Sequence, residues 1–437
     1  MSKNIVIDTN VLIDDPKTIY KLANEYNAII IPLTVLRELD RHKFNPNLSY
    51  SARSAIYEIL NFKKNFPNKL ITSIDDTEIS TNDELIINAA KDRDADIATK
   101  DISMSVIAEA KGINSKLYDV VTNGFFDPYY YIEDEEVFQK FKILNRYYTH
   151  NYNETLEYLE TFFDHSFDKE AWCFIFFKVQ NDIEYIYANN PFTKELIRID
   201  NASEYRTLKV DGTTIKAKDA YQVCAFYALD QAPNALITGK WGSGKTLLST
   251  AYAVANNPRK TFIIRPPVAI NAKFKMGYLP GGVEDKLTEY HSGFLSSLYY
   301  IYSNTRNQKC DGKDCKSENI EYDFVKDHIF RKKFEILPIP ALQGMSLLEE
   351  DVLIVDETQL LDIDTLSMVL SRLSEGSKLI LLGDLAQTYN VVRPSESGLL
   401  KLKRILPHRF IAHVDLKKSY RSELIELADK LQDKTIE

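Results

Sequence analysis

The segment that most constrains the fold covers residues 234–248 and reads NALITGKWGSGKTLL. An apolar run ends at Gly239, the glycine-rich stretch follows, and the residues after it have helical character. GxxxxGKT between a strand and a helix predicts a phosphate-binding loop, because its glycines let backbone N–H groups approach phosphate oxygens closely. Lys245 is placed to reach the β- and γ-phosphate oxygens, and the Thr246 hydroxyl is placed to bind Mg²⁺. The predicted nucleotide-binding residues of this loop are Gly239, Lys240, Trp241, Gly242, Ser243, Gly244, Lys245, Thr246 and Leu247.

Two later strands supply the polar groups that such a loop needs. The run DVLIVDETQLL ends a buried strand at Asp356, which is predicted to hold Mg²⁺, and Glu357 is predicted to orient or deprotonate the attacking water. Asp356 as a plain helix cap is the alternative. The run KLILLGDLAQ ends another strand at Asp384, and Gln387 three residues later is predicted to sense the γ-phosphate. A turn with an exposed glutamine is the alternative for Gln387.

Carboxylates also follow the apolar runs near the beginning of the chain. Asp8 ends the run IVI, Glu38 lies in LRELDRHK, Asp83 lies near the start of a helix, and Asp101 follows DADIATK. Acids at the carboxyl ends of parallel strands converge on one edge of the sheet. Repelling carboxylates need a cation, so convergence predicts Mg²⁺ or Mn²⁺ and metal-assisted phosphodiester hydrolysis. The alternatives are a helix cap for Asp8 and Asp83 and a solvated helix face for Glu38.

Length and composition set the organisation. A chain of 437 residues predicts more than one domain, and 44% apolar with 27% charged residues is typical of globular proteins. We expect an α/β domain over 1–122, a linker and small β-rich module over 123–214, and an α/β domain over 215–437 with a polar insertion at about 295–335. Four scattered cysteines, no signal-peptide pattern and no long apolar run predict a cytoplasmic protein with no membrane partner.

The segment from about 215 to 432 resembles a PhoH-type ATPase, which is related to superfamily 1 helicase cores. The resemblance rests on the phosphate loop, the Asp356–Glu357 pair, GDxxQ, Arg265–Pro266 and the GYLPG loop at 277–281 with Glu284 and Lys286 after it. It implies that Gln222 contacts adenine and that Arg421, in Arg-Ser-Glu, stabilises charge on the γ-phosphate. It also implies a homo-oligomer, a hexameric ring. Gln343 and Met345 stand where the family has two arginines that could touch nucleic acid.

Residues 1 to about 122 resemble a PIN-type nuclease domain, with Asp8-Thr9-Asn10, a glutamate in the second helical region, Asn-Asp and Thr-Lys-Asp in the family's order. This resemblance implies that Asp8, Glu38, Asp83 and Asp101 are catalytic metal ligands, with Thr9 or Asn10 supporting them by hydrogen bonds.

Together the resemblances imply an α/β protein with an N-terminal PIN-like three-layer domain, a β-rich middle module and a C-terminal P-loop, helicase-like ATPase domain. We expect an ATP- and Mg²⁺-dependent ATPase coupled to a ribonuclease that uses Mg²⁺ or Mn²⁺, with single-stranded RNA as partner. Aromatic rings over 170–210 could stack on bases or form core: Trp172, Phe174, Phe176, Phe177, Tyr185 and Tyr187. Cys310 and Cys315 form an incomplete zinc pattern. The alternative function is a nucleotide-dependent regulatory or assembly ATPase whose PIN-like domain only binds nucleic acid or partners.

Overall fold

A computed structural model describes much of the chain, and its contacts divide the chain into two compact units. The first unit comprises Met1–Phe125 with Arg393–Leu400, and the second comprises Phe126–Val392 with Lys401–Glu437. The boundaries expected near 122 and 214 stay predictions. The described residues are 3–44, 49–73, 81–118, 125–146, 152–163, 167–179, 182–210, 213–266, 292–307, 325, 330–385 and 396–420.

The first unit contains a five-stranded parallel sheet in the order β3-β2-β1-β4-β5. The strands are β1 (Asn4–Ile7), β2 (Ile29–Pro32), β3 (Leu70–Ser73), β4 (Ala95–Thr99) and β5 (Ser115–Leu117). The helices between them are α1 (Thr9–Asp14), α2 (Thr18–Glu25), α3 (Leu33–His42), α4 (Ser49–Asn65), α5 (Asn82–Asp92) and α6 (Ile102–Ala110). The central strands are apolar on both faces, since helices cover both. Ile5 to Ile7 and Ile29 to Ile31 are fully buried.

The second unit begins with a mixed four-stranded sheet in the order β6-β7-β8-β9. Its elements are β6 (Tyr129–Ile132), α7 (Glu135–Arg146), α8 (Tyr152–Phe162), β7 (Cys173–Val179), β8 (Asp182–Asn190) and β9 (Glu195–Arg198). Alternate residues of β7 point into two different cores. Phe174 and Phe176 join the core beneath the phosphate loop, whereas Phe177 packs with α7 residues Phe138 and Phe141.

This packing favours the second of the two alternatives for the aromatic rings of 170–210, in which they form core rather than stack on bases. Trp172, Phe174, Phe176, Phe177 and Tyr187 are each at most 7% exposed. The Trp172 indole N–H donates to the Arg409 carbonyl at 2.6 Å, and Tyr185 is half-buried. The rings are core because both faces of the sheet are covered, a condition that alternation within single strands does not reveal.

The remaining elements build a six-stranded parallel sheet in the order β14-β13-β15-β16-β12-β17. Its strands are β12 (Asn234–Gly239), β13 (Lys260–Ile264), β14 (Phe334–Ile336), β15 (Asp351–Val355), β16 (Lys378–Gly383) and β17 (Ile411–Leu416). A hairpin of β10 (Thr207–Val210) and β11 (Thr213–Lys216) precedes it. The helices are α9 (Ser203–Arg206), α10 (Ala220–Gln231), α11 (Lys245–Asn256), α12 (Ser292–Asn307), α13 (Arg331–Lys333), α14 (Ile363–Leu370) and α15 (Gly398–Ile405). Short 3₁₀ helices cover Ile339–Gly344 and Thr358–Leu360.

The structure describes part of one expected insertion, whereas several other sequence predictions fall outside the described residues. The interval 295–335, read as a polar insertion, begins inside helix α12. Within the described ranges, no helix combines the length and apolar character that crossing a bilayer requires. The predictions that lie outside those ranges concern Gln387, Arg421, Cys310, Cys315, Glu284, Lys286 and the loop 277–281.

Candidate functional site

The phosphate loop leaves the sheet at a point where only glycine fits. Gly239 ends β12 with a φ of 148°, and a Cβ there would lie 2.7 Å from the Leu416 carbonyl oxygen of β17. Gly244, with a φ of 100°, occupies the N-cap position of α11. Both dihedrals lie where side-chain-bearing residues are strained. The two glycines therefore fix the turn that aims the start of α11 away from the sheet.

Lys245 is held against the loop that precedes it. Its ammonium group donates to the carbonyl oxygen of Gly239 and, at 3.0 Å, to that of Lys240. Burial lowers the pKa of Lys245, and the nearby carboxylates of Asp384 and Glu357 oppose that shift. A positive side chain thus lies in a partly desolvated position, where its attraction for phosphate is strengthened.

A large pocket opens beside this loop. Its volume is about 1090 Å³, enough for a nucleotide. Its walls are the phosphate loop, the ends of β13, β15 and β16, the start of α10, and one face of α12. The predicted residues along its walls are Gln222, Trp241, Gly242, Gly244, Lys245, Thr246, Leu247, Asp356, Glu357 and Asp384.

Asp356 and Glu357 stand at the carboxyl end of β15 and face one arginine. Burial, followed by repulsion from Glu357, raises the pKa of Asp356 to about 6. Arg265, directly after β13, lies 3.2 Å from a Glu357 oxygen and 3.9 Å from an Asp356 oxygen. The carboxylates, Thr246 and Lys245 share the pocket wall, as a Mg²⁺–phosphate site requires.

Gln359 is a positioning residue that our sequence reasoning missed. It is fully buried, and its amide nitrogen donates to a Glu357 oxygen at 2.6 Å. Its amide oxygen accepts from the Asp384 backbone N–H at 3.1 Å. Gln359 thereby links the proposed water-activating carboxylate to the end of β16. The sequence feature that could have identified Gln359 is its place in Asp-Glu-Thr-Gln, two residues beyond Glu357.

The stretch after β17 also reaches the pocket. The Ser419 hydroxyl donates to the Trp241 carbonyl at 2.7 Å, and the Tyr420 N–H donates to the Gly242 carbonyl at 3.0 Å. The Tyr420 ring lies on the pocket wall with Gln222. Gln222 is 5% exposed and donates to the Ser243 carbonyl at 2.9 Å. Sequence reasoning also missed the α12 face, where Ser292, Gly293, Ser296, Ser297 and Tyr300 recur at helical spacing.

A buried polar chain supports the loop from below. The Thr238 hydroxyl donates to an Asp415 carboxylate oxygen at 2.8 Å, so it accepts from His413 Nε2 at 2.9 Å. His413 Nδ1 is left to accept from the Lys403 ammonium group at 3.2 Å. Lys417 donates to the other Asp415 oxygen at 2.6 Å. Burial lowers the pKa of His413, in agreement with a neutral ring.

In the first unit, Asp8 lies at the end of β1, and its side chain does not act as a helix cap. Asp8 occupies the N-cap position of α1, yet its carboxylate makes no capping hydrogen bond. Instead it accepts from the Thr99 hydroxyl at 2.9 Å. The side chain is largely buried, and burial raises its pKa to about 6, with further upward effects from Glu38 and Asp83. Burying a carboxylate is energetically unfavourable, and Asp8 does not offset that cost by capping a helix. A role for Asp8 in function is therefore favoured.

The other predicted acids surround the same strand ends. Glu38 accepts from the Thr9 hydroxyl with one oxygen and from the Asn82 amide with the other. Burial, then Asp101 and Glu38, raise the pKa of Asp83. Thr81 caps α5 in a capping box, so Asp83 is not the cap of this helix.

Asp101 has a structural role in addition to its predicted one. One of its carboxylate oxygens accepts from the backbone N–H groups of Ser103 and Met104, at 2.7 and 3.2 Å, and so caps α6. Only its second oxygen remains outside this cap. Of these acids, Asp101 is therefore the one whose side chain caps a helix, whereas the helix-cap alternative was expected for Asp8 and Asp83.

The fit of a divalent cation to these acids is mixed. Their oxygens are the hard donors that Mg²⁺ and Mn²⁺ prefer, and their mutual repulsion is the unfavourable energy that a cation removes. Within the described ranges, however, no three His, Cys, Asp or Glu side chains are arranged to hold a metal ion. The predicted ligand set of Asp8, Glu38, Asp83 and Asp101 has the right chemistry, and it stays a prediction.

Comparison with known proteins matches both units. A family model described as PhoH-like protein matches residues 214–432, and one described as PIN domain matches residues 5–119. Protein PhoH2 of Thermobispora bispora is 23% identical over 474 residues, covering 100% of this chain and 98% of that protein. Protein PhoH2 of Bacillus subtilis is 25% identical, with 99% and 100% covered. A PhoH-like protein of Synechocystis is 33% identical over 198 residues, which cover 45% of this chain and 54% of that protein.

Proposed function

The chain belongs to the PhoH-like protein family, and from that premise we propose that it is an ATP-hydrolysing protein that processes single-stranded RNA. We further propose that its PIN domain is a metal-dependent endoribonuclease coupled to the ATPase. The observation that carries the proposal is the single pocket shared by Lys245, Thr246, Asp356 and Glu357. A lysine, a hydroxyl and two carboxylates that line one nucleotide-sized space are the groups that a Mg²⁺–phosphate site uses, which supports the proposal.

In the proposed ATPase each pocket residue has one task. Lys245 and the loop N–H groups bind the phosphates, and Thr246 with Asp356 would hold Mg²⁺, which supplies neutralisation of phosphate charge. Glu357, oriented by Arg265 and Gln359, accepts the proton of the attacking water. Gln222 binds adenine, and Gln387 and Arg421 respond to the γ-phosphate. Among the described residues, Gln222 uses one amide hydrogen on the Ser243 carbonyl and one lone pair on the Lys218 N–H, which leaves one of each for a base.

In the proposed nuclease the residues of the first unit hold their carboxylates in place. Thr99 orients Asp8, while Thr9 and Asn82 fix both oxygens of Glu38. Asp8, Glu38, Asp83 and Asp101 would hold Mg²⁺ or Mn²⁺, which activates water for phosphodiester cleavage. Burial, and then repulsion from the neighbouring acids, raises the pKa of Asp8 and Asp83, and a bound cation would stabilise their charged forms, which supports this assignment. We propose a homo-oligomeric ring in which Arg421 reaches a neighbouring site.

Two observations favour a second candidate, a regulatory or assembly ATPase whose PIN domain only binds nucleic acid or a partner. The described acids include no three-member group arranged for a metal ion. In addition, exposed Gln343 and half-buried Met345 stand where the family resemblance implies arginines. Both observations weaken nucleic-acid processing and leave the ATP pocket unaffected.

Two assays on the full chain separate these functions. Labelled single-stranded RNA is incubated with Mg²⁺ or Mn²⁺, with and without ATP, using wild type, Asp8→Asn and the matched control Asp40→Asn, an exposed acid of α3. The nuclease proposal expects that Asp8→Asn loses at least about 100-fold in cleavage and that Asp40→Asn cuts like wild type. Equal cutting by all three refutes it.

ATP turnover is measured in parallel with and without RNA. Lys245→Ala is expected to lose turnover, because the β- and γ-phosphates lose their cation. Stimulation of wild-type turnover by RNA supports coupling. If RNA leaves turnover unchanged and no variant cuts RNA, the regulatory or assembly ATPase is the better assignment.

A further inference from the structure

One tyrosine of the β6–β9 sheet contacts the edge strand of the six-stranded sheet. β17 is the last strand in the order of that sheet, and it pairs with β12 along one of its edges. Along its other edge, the Tyr129 hydroxyl accepts from the Asp415 backbone N–H and donates to the Asp415 carbonyl oxygen, both at 2.9 Å. Backbone groups at a sheet edge need partners, and a phenol hydroxyl can be donor and acceptor at once. The hydroxyl therefore takes the place of a neighbouring strand at Asp415.

The ring of Tyr129 is held firmly by its neighbours. It is 5% exposed and stacks on Phe176 of β7, with the ring centroids 5.2 Å apart. It also meets the Tyr221 ring of α10 in a T-shaped arrangement, with the centroids 5.0 Å apart. Burial raises the pKa of Tyr129 well above its usual value, so the hydroxyl keeps its proton and can donate. A packed aromatic ring thus presents the hydroxyl to Asp415 from one fixed position.

Asp415 connects this contact to the phosphate loop in two ways. Its carboxylate accepts from the Thr238 hydroxyl at 2.8 Å, and Thr238 directly precedes Gly239, where the loop leaves the sheet. Lys417 donates to the other carboxylate oxygen at 2.6 Å, and its ammonium group lies 5.6 Å from the centre of the Tyr129 ring. The position of Asp415 therefore determines the position of the base of the loop and of the first residues after β17.

The segment after β17 extends this connection to the nucleotide pocket. Ser419 and Tyr420 donate to the carbonyl oxygens of Trp241 and Gly242, at 2.7 and 3.0 Å. Holding these two carbonyls fixes the orientation of their planar peptide units, and a phosphate loop binds its ligand through backbone groups. The Tyr420 hydroxyl also donates to Asp219, the N-cap residue of α10. The segment thus contacts both the phosphate loop and the helix that carries the proposed adenine contact.

We propose that Tyr129 is a positioning residue of the ATPase site, which makes the β6–β9 sheet a functional part of that site. The inference rests on the ATPase function proposed above. Tyr129 is not one of the described residues that line the pocket, so it acts through Asp415 and the residues 417–420. Loss of its hydroxyl removes the partner of two backbone groups at the edge of β17. The end of β17 and the segment after it can then move, and the loop is held less well for binding phosphate.

The test compares Tyr129→Phe with Tyr152→Phe in the full chain. Phenylalanine keeps the ring of residue 129 and removes both of its hydrogen bonds. Tyr152 of α8 is the matched control, because its hydroxyl donates to the Asn189 amide oxygen at 2.7 Å and its ring packs against the separate core that includes Phe138. Thermal unfolding checks that both variants are folded. Steady-state assays give kcat and the KM for ATP, and hydrogen exchange with mass spectrometry follows the backbone of residues 236–248 and 411–420.

We expect Tyr129→Phe to raise the KM for ATP about fivefold or more and to change kcat less than about twofold, because the phosphate loop is loosened while the carboxylates of β15 keep their contacts. Hydrogen exchange of both segments should become about fivefold faster or more. Tyr152→Phe should leave the KM and the exchange of these segments as in wild type.

Three results overturn the proposal. These are an unchanged KM and unchanged exchange in folded Tyr129→Phe, faster exchange with an unchanged KM, and equal effects in Tyr152→Phe. If wild type hydrolyses no ATP, the proposed ATPase function fails. The Kd of a fluorescent ATP analogue then replaces the KM, and the same comparison between the two variants decides whether Tyr129 positions the nucleotide site.

Discussion

Glu357 adopts a backbone conformation that most residues avoid. Its φ is 52° and its ψ is 43°. These values lie in the left-handed region, which residues other than glycine and asparagine rarely adopt. Such strain persists only where surrounding contacts hold it. Here the contacts are Arg265 on one carboxylate oxygen and Gln359 on the other. A strained backbone and a contact on each carboxylate oxygen support the proposed role of Glu357 as the water-activating group.

Replacement of Gln359 by methionine tests this positioning role. Gln359→Met keeps the length of the side chain and removes both of its hydrogen bonds, to Glu357 and to Asp384 N–H. We expect the kcat of ATP hydrolysis to fall roughly 10- to 100-fold, with the KM for ATP changed less than about threefold, because orientation of the base is lost and phosphate binding is kept. Gln139→Met, on an exposed face of α7, is the control. A matching rise in KM would assign Gln359 to binding.

Lys378 makes stability depend on pH in a direction that can be predicted. Burial lowers its pKa to about 8, and its ammonium group donates to the Ala232 carbonyl. The unfolded chain therefore binds more protons than the folded chain between about pH 8 and pH 10.5, so this residue's destabilising contribution is full below pH 8 and disappears as pH rises through that window. Lys378→Met should raise the free energy of unfolding by about 2 kcal/mol at pH 7.

Chemical denaturation at pH 7 and pH 10 measures this effect. Other lysines titrate over the same range, so the difference between wild type and Lys378→Met is the useful quantity. We expect this difference to shrink by about half or more at pH 10. A difference that stays constant between the two pH values would show that Lys378 does not titrate in this window.

At the scale of elements, the join between β12 and the phosphate loop depends on Gly239. A methyl group there would meet the Leu416 carbonyl oxygen at 2.7 Å and the Ser243 hydroxyl oxygen at 3.0 Å. Gly239→Ala should therefore destabilise the fold by about 1–3 kcal/mol and weaken nucleotide binding, because β17 and the loop must move apart. Gly344→Ala is the matched control, since a Cβ there has nothing within 4 Å. Thermal unfolding and binding of a fluorescent ATP analogue measure both effects.

Elements with a strong apolar or motif signal were predictable from the sequence. β1, β2, β4, β12, β13, β15 and β16 contain short apolar runs, and parallel sheets bury such runs on both faces. β3, β6, β10, β11, β14 and β17 were missed. β14 spans only Phe334–Ile336, and β17 alternates apolar residues with His413 and Asp415, so neither has a continuous apolar run. The polar residues of β17 are there because they pair with Thr238 and Lys403.

The candidate site was predictable where chemistry forces residue type and spacing. Phosphate loops need glycines, lysine and a hydroxyl at fixed intervals, and these positions line the pocket as a group. The parts whose roles depend on tertiary contacts were harder to predict. Gln359, Tyr420 and the α12 face carry no charge pattern of their own, and their roles arise from tertiary contacts. Likewise, the capping of α6 by Asp101 became evident only from the hydrogen bonds of the structure.

At the scale of the whole molecule, the α/β fold class and both family resemblances are confirmed, with a PIN domain over 5–119 and a PhoH-like domain over 214–432. Each unit has a core of its own. The first core includes Ile5, Ile30 and Phe62, and the second includes Phe176 and Ile380. The β6–β9 sheet contributes to the second core, which gives the middle of the chain a structural role beside the six-stranded sheet.

Separate cores predict that the chain unfolds in two calorimetric transitions. Ile30→Ala and Ile380→Ala each remove a fully buried side chain, one from each core. Each should cost roughly 2–5 kcal/mol and lower the midpoint of one transition only, because the cavity destabilises the core that contains it. Saturating MgADP, at about 100 times its Kd, should add about 2.7 kcal/mol to the transition that Ile380→Ala lowers and nothing to the other. A single transition that both substitutions lower equally would mean that the two cores unfold as one cooperative unit.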